Sequence, residues 1–235
     1  MGNKIMLVRH GESEQNNRVL NDKYKPDHEI ELTENGIKQA EKCGEFLESY
    51  LRGCNMYKDH MVMWVSPYKR TRQTAEIIND HLKLWDVRED DMLTELQFGI
   101  FHNLTKQECI ENFPAEYERF MMNRRFAGKY YARRPEGESP FDCEIRQKLF
   151  IDTLFRDFNE DAERDIIIVG HGAAINIFKK AFFHYSHEWY ENVENPGNCS
   201  VQLIEITDKK QNRDCGYIYG ASIPEDSKKI HRFNE

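Results

Sequence analysis

Two places in the chain repeat one device, an apolar run followed by a histidine and a glycine. Lys4-Ile5-Met6-Leu7-Val8 breaks at Arg9-His10-Gly11, and the Ile166 to Val169 run breaks at Gly170-His171-Gly172. A neutral imidazole is a competent nucleophile. Guanidinium groups match the oxygens of a phosphoryl group and neutralise its charge in transfer. Arg9 precedes the first histidine, and Arg70 lies shortly after a third apolar run, Met61 to Val65, closed by Ser66-Pro67. Two histidines and two arginines on one edge would suit phosphoryl transfer. Gly11 and Gly172 would let the backbone and a ligand approach closely. Each residue alone has an ordinary explanation: a satisfied polar group at a strand end, or, for Arg70 between Lys69 and Arg72, a solvated helix face. Together they would need that explanation at every position independently.

The elements that must position these groups follow from the apolar pattern. Lys4 to Val8 and Met61 to Val65 read as strands, and Asp165 to Val169 as a central strand covered on both faces. Val201 to Ile206 is a further strand. Thr33 opens a helix whose Ile37, Ala40, Gly44, Leu47 and Leu51 share one face. Tyr68 to about Leu82 is helical, with Ala75, Ile78 and Leu82 inward. Ser139-Pro140 supplies a cap and a first-turn proline for a helix that ends near Asn159 and presents Phe141, Ile145, Leu149 and Phe155. Ala173 to Phe183 follows as a helix. Strands alternating with helices predict an α/β fold, a three-layer α/β/α sandwich around a mostly parallel sheet. Ligands gather at the carboxyl ends of strands in such sheets. Residues 1–235 read as a single domain, with about 95–138 a helical insertion over the active edge and 224–235 a peripheral tail.

Composition narrows the function. The 235 residues carry a net charge of −8, which argues against a nucleic-acid binder, although a few arginines in a cleft can still attract a small anion. The six cysteines are scattered, without a C-x-x-C pair, so neither a disulfide framework nor a zinc ribbon is indicated. No apolar run approaches the roughly 20 residues of a membrane helix. The first residues lack a signal-peptide core, and Met6 stands where a myristoylation site wants Ser or Thr. The expectation is a cytoplasmic protein without a membrane partner. There is no P-loop pattern. His184-x-x-His187-Glu188 lacks the order of a zincin motif, so no metal is expected. Cys199 reads as a small buried residue rather than a nucleophile.

Leu7-Val8-Arg9-His10-Gly11-Glu12-Ser13 with Asn16 resembles the signature of the histidine phosphatase superfamily, in its phosphoglycerate mutase-like branch. The resemblance runs through Leu32-Thr33-Glu34-Asn35-Gly36 with Gln39-Ala40, and Ser66-Pro67-Tyr68-Lys69-Arg70-Thr71 with Gln73-Thr74-Ala75. It continues through Leu93-Thr94-Glu95 with Gly99, Gly137-Glu138-Ser139, and Val169-Gly170-His171-Gly172, covering roughly residues 4 to 206 in the family's order. It implies that His10 is phosphorylated, that Arg9, Arg70 and His171 complete a phosphate-binding quartet, and that Asn16 is a further phosphate ligand. It also implies that Glu95 protonates the leaving oxygen and then activates water, with no cofactor or metal, the arginines supplying the charge.

The resemblance implies a phosphatase-type subgroup. The mutases' tryptophan- and glycine-rich segment is replaced here by Asp22 to His28, and their Arg-Arg-Ser-Tyr segment by Arg124 to Arg133. Phosphatases of this branch often carry Trp-Glu-Gly where this chain has Phe101-His102-Asn103. Tyr24, Arg133 and Asn198 are candidate wall residues of the substrate pocket. The expectation is a metal-independent phosphatase acting on a small phosphorylated substrate. A 2,3-bisphosphoglycerate-dependent mutase and a non-catalytic phospholigand-binding protein are the alternatives, and the oligomeric state stays open.

Overall fold

Short runs of Ile, Val, Leu and Met have no polar face to offer water, so the strands that they form must be covered on both sides. The computed structural model describes residues 3–17, 24–54, 56, 58–160, 164–206 and 212–220. In chain order its elements are β1 (Lys4–Arg9), α1 (Glu34–Gly53), β2 (Met61–Val65), α2 (Lys69–Leu82) and β3 (Val87–Glu89). Then come α3 (Lys106–Asn112), α4 (Pro114–Ala127), α5 (Pro140–Glu160), β4 (Asp165–Gly170), α6 (Gly172–Phe183), α7 (His187–Asn192), β5 (Val201–Glu205) and β6 (Arg213–Tyr219). The sheet order is β3-β2-β4-β1-β5-β6. β3, β2, β4 and β1 are parallel, while β5 and β6 complete the sheet antiparallel.

Alternation along the strands divides the core between the two faces. Met6 and Val8 of β1 and Ile167 and Val169 of β4 point to one side, with Leu47 of α1 and Ile78 of α2. Ile5, Leu7, Ile166 and Ile168 point to the other, with Phe150 of α5 and Phe178 of α6. This is the three-layer sandwich around a mostly parallel sheet that the sequence predicts. α3 and α4 lie in the expected insertion, where Phe101, Cys109, Phe120 and Ala132 form a cluster of their own. Among the described residues no helix is long and apolar enough to cross a membrane. The peripheral tail expected at 224–235 lies outside the described residues.

Local chemistry explains the helix boundaries and two corrections. Thr33 caps α1 by accepting from Gly36 N–H, and Ser139 Oγ accepts from Asp142 N–H at the start of α5. In α1, however, Ile37 is exposed, and Gly36 and Cys43 join the buried face in its place. The expected apolar face of α5 is also the wrong one: Phe141, Ile145, Leu149 and Phe155 are exposed, whereas Cys143, Phe150, Ile151 and Leu154 are buried. Two buried polar residues disguise the true inner face. Gln147 donates to the Met92 carbonyl, and Glu144 accepts from Lys180. The apolar pattern does not reveal β3, only three residues long, or β6, which is interrupted by Gly216.

The turn after β1 is pressed against the start of α1. A Cβ on Gly36 would lie 2.0 Å from the Glu12 carbonyl oxygen, and one on Gly11 would lie 2.5 Å from the Gly36 oxygen. Both obstacles are backbone and cannot swing away. Gly36→Ala should therefore destabilise the fold by about 1–3 kcal/mol, the usual cost of overpacking, seen as a lower urea midpoint. An unchanged midpoint would contradict this packing.

Candidate active site

The register of the sheet assembles the site. β1 and β4 are parallel neighbours with Arg9 opposite Gly170, so the next residues, His10 and His171, leave the sheet side by side. Their ring centroids are 5.2 Å apart. Ser66, at the end of β2, continues the row, and its Oγ lies 2.8 Å from His171 Nε2. Arg70 enters from the first turn of α2.

His10 has a defined tautomer. Its Nδ1 lies 2.6 Å from the Gly11 carbonyl oxygen. A carbonyl only accepts, so Nδ1 carries the proton and Nε2 keeps the lone pair. Burial, and then the charges of Arg70 and Arg9, push the His10 pKa well below the ordinary histidine value. His171 is pushed down by burial, then by Arg70 and His10. Both rings are therefore neutral near pH 7, and His10 presents a nucleophilic nitrogen.

The arginines are buried with donors to spare. Arg9 Nη1 donates to the Pro196 carbonyl at 2.6 Å, and burial lowers its pKa to about 10 despite the opposing charge of Glu95. Arg70 Nη1 donates to the carbonyl oxygen and the carboxylate of Asp27, at 2.7 and 2.8 Å. Arg9 Nε, Arg70 Nε and His171 Nδ1 are buried without a hydrogen-bond partner among the described residues. Such groups are costly and uncommon in folded proteins. Nitrogens of this kind converging beside a nucleophile suit the oxygens of a bound anion.

Two amides complete this side. Asn16 Oδ1 accepts from Ser13 Oγ at 3.1 Å and from Asn198 Nδ2 at 3.1 Å, so the Asn16 amino group holds its donor capacity for a ligand. Asn198 Nδ2 also donates to the His10 carbonyl at 3.0 Å. Opposite, Glu95 sits on the N-terminus of α6. Its Oε1 accepts from Ala174 N–H at 3.0 Å, and Oε2 from Ala173 N–H at 3.3 Å. Gly172 opens that helix, and a Cβ there would approach Arg9 Nε to 3.4 Å.

The structure thus brings together Arg9, His10, Asn16, Arg70, Glu95, His171, Gly172 and Asn198. Gly11 behaves differently from the expectation. Its N–H donates to Thr74 Oγ1 at 3.1 Å and its Cα packs on Gly36, so it shapes the turn rather than admitting a ligand. Tyr24 is 88% exposed. Arg133 is also exposed, and it makes a bidentate pair with Asp142 at 2.7 and 2.9 Å, which occupies the fork expected for substrate.

Sequence reasoning missed Asp27, which anchors Arg70, and Arg134, whose guanidinium lies over the Phe98 ring at 4.3 Å. It also missed His102, where the family pattern departs. Its Nε2 is 3.8 Å from Asp27, and burial lowers its pKa. Burial and neighbouring cations hold the Lys129 pKa low. The signal for Asp27 was the Pro26-Asp27-His28 element; nothing in the spacing singled out Arg134.

The family model for "Histidine phosphatase superfamily (branch 1)" matches residues 5–214. The chain is 33% identical over 214 residues to the phosphoglycerate mutase-like protein AT74 of Arabidopsis thaliana, covering 86% of this chain and 65% of that relative. It is 23% identical to the broad-range acid phosphatase DET1 of Saccharomyces cerevisiae, covering 94% of this chain and 89% of that one. The solved α-ribazole phosphatase of Shigella flexneri superposes with a TM-score of 0.74 at 19% identity, covering 94% and 99% of the two chains, a likeness of fold.

The depressed imidazoles make stability pH-dependent. An unfolded histidine takes up a proton near pH 6.5, whereas folded His10 and His171 do so only at lower pH. Below about pH 6.5 the unfolded chain binds more protons, so stability falls as the pH drops towards the folded pKa values, and these groups add no slope above about pH 7. The melting temperature of a His10→Gln/His171→Gln variant should therefore fall less steeply between about pH 7 and 5 than that of the parent. Parallel curves would contradict this.

Proposed function

The chain belongs to branch 1 of the histidine phosphatase superfamily, and from that premise we propose that it hydrolyses phosphomonoesters through a phosphohistidine at His10. The observation that carries this reading is the commitment of His10 Nδ1 to the Gly11 carbonyl, beside buried arginine nitrogens that have no partner among the described residues. His10 Nε2 attacks phosphorus and the bond to the ester oxygen breaks. Arg9, Arg70, His171 and Asn16 hold the phosphoryl oxygens and offset the charge that spreads over them, while Asn198 spends its amide hydrogens orienting Asn16 and the His10 backbone. Glu95 passes to the departing alkoxide a proton that enters with the monoanionic phosphomonoester. As a carboxylate it then takes a proton from the water that cleaves the phosphohistidine, which releases phosphate and regenerates both groups.

Guanidinium charge serves where other phosphoryl-transfer sites use a divalent ion, so turnover is expected to persist with a chelator present. In the insertion, burial lowers the pKa of Lys129 and of Arg134, the charge of Arg124 lowers both further, and that of Arg134 adds to the effect on Lys129. That wall favours a small ester whose alcohol portion carries a further negative group. Replacement of the mutase-type segments by Asp22 to His28 and Arg124 to Arg133 supports hydrolysis over retention of the phosphoryl group.

His10→Ala should abolish phosphate release from phosphosugars and phosphoglycerates, and Glu95→Gln should slow it by roughly 10²- to 10⁴-fold, the usual weight of a general acid. With 3-phosphoglycerate and catalytic 2,3-bisphosphoglycerate, free phosphate should accumulate without rapid isomer exchange. Fast exchange that requires the bisphosphate would identify a mutase instead. A His10→Ala variant that turns over well would defeat the nucleophile assignment.

A further inference from the structure

The acid–base carboxylate lies on an irregular stretch between β3 and α3, where no sheet or helix ladder fixes its backbone. Such a stretch needs other anchors, because a general acid misplaced by an ångström loses much of its effect. The anchor is a single guanidinium from the buried side of α5. Arg146 Nη1 donates to the carbonyl oxygens of Met92 and Thr94, at 2.6 and 2.8 Å. Its Nη2 donates to the carbonyl of Glu95 itself at 3.0 Å.

The remaining edge of that guanidinium is locked in turn. Glu138 Oε1 accepts from Arg146 Nε at 2.9 Å, and Oε2 from Nη2 at 3.0 Å, a bidentate pair with both side chains largely buried. Glu138 Oε2 also accepts from Gln97 N–H at 3.1 Å, and Glu138 N–H donates to the Gln97 carbonyl at 2.9 Å. The Glu95 backbone is thus held from one side by Arg146 and from the other through Glu138 to Gln97. The Glu95 carboxylate meanwhile rests on the Ala173 and Ala174 amides. Only a planar fork can reach several carbonyls and a carboxylate at once. An ammonium in its place would make fewer of these bonds.

We propose that Arg146, oriented by Glu138, is the positioning residue for Glu95 and sets how well the leaving oxygen is protonated. This rests on the reading of Glu95 as the general acid. A purely structural role would weaken all substrates alike. A role exerted through Glu95 weakens only esters whose leaving group needs a proton.

The test compares an alkyl phosphate with 2,4-dinitrophenyl phosphate, whose leaving group departs without protonation, in Arg146→Gln, Arg146→Lys, Glu95→Gln and the Arg146→Gln/Glu95→Gln double variant. The readout is kcat/KM, which reports only the steps up to the phosphohistidine. Arg146→Gln should lose on the order of 10²-fold on the alkyl ester and less than about threefold on the dinitrophenyl ester. Arg146→Lys should show the same selectivity with a smaller loss. In the double variant, the alkyl rate should match that of Glu95→Gln alone, because both substitutions remove one function. Arg146→Lys carries the comparison should Arg146→Gln fail to fold. Equal losses on both esters, no loss, or additive losses in the double variant would each overturn the proposal. A Glu95→Gln variant that treats the two esters alike would overturn the general-acid reading beneath it.

Discussion

The site depends on one constraint: two imidazoles are held together where neither is protonated near pH 7. The parallel register of β1 and β4, with Arg9 opposite Gly170, leaves His10 and His171 adjacent at the end of a sheet covered on both faces. Desolvation there opposes any charge on the rings, and Arg9 and Arg70 oppose a positive one further. The same surroundings that keep His10 neutral leave its Nε2 lone pair unprotonated and surrounded by donors. The neutral imidazole and the donors around it are therefore consequences of one burial.

Burying cations is expensive unless they are compensated. Here compensation is partial by construction. Asp27 takes one edge of Arg70, and the Pro196 carbonyl takes one nitrogen of Arg9, while the Nε of each arginine has no partner among the described residues. Glu95 is the acidic counterweight, but its carboxylate is drawn aside onto the first amides of α6, where the helix dipole also favours negative charge. That separation keeps it from closing an ion pair over the pocket. A chain with a net charge of −8 can in this way offer an anion a locally positive cleft.

Much of this was legible in the sequence. The His-Gly breaks after two apolar runs gave the strands, their shared edge and both imidazoles, because a buried strand has a strong hydrophobic signature and its end is abrupt. What stayed hidden was set by partners distant in sequence. The inner face of α5 was misread because Glu144 and Gln147 are polar yet satisfied by Lys180 and Met92. Arg133 looked like a substrate fork until Asp142 proved to hold it. Gly11 looked like a ligand contact, whereas its constraint comes from Gly36. Asp27 and Arg146 act through backbone carbonyls and a single guanidinium, contacts that leave no periodic trace.

In the proposed reaction the chemistry occurs at Nε2 of His10, because Nδ1 is committed to the Gly11 carbonyl. The most direct measurement is to trap the phosphoenzyme by rapid quench at alkaline pH, locate the phosphoryl group by peptide mass spectrometry and identify the nitrogen by ³¹P NMR. A single phosphohistidine is expected, at position 10 and phosphorylated on Nε2. Phosphorus on Nδ1 of His10, on His171 or on an oxygen would contradict it.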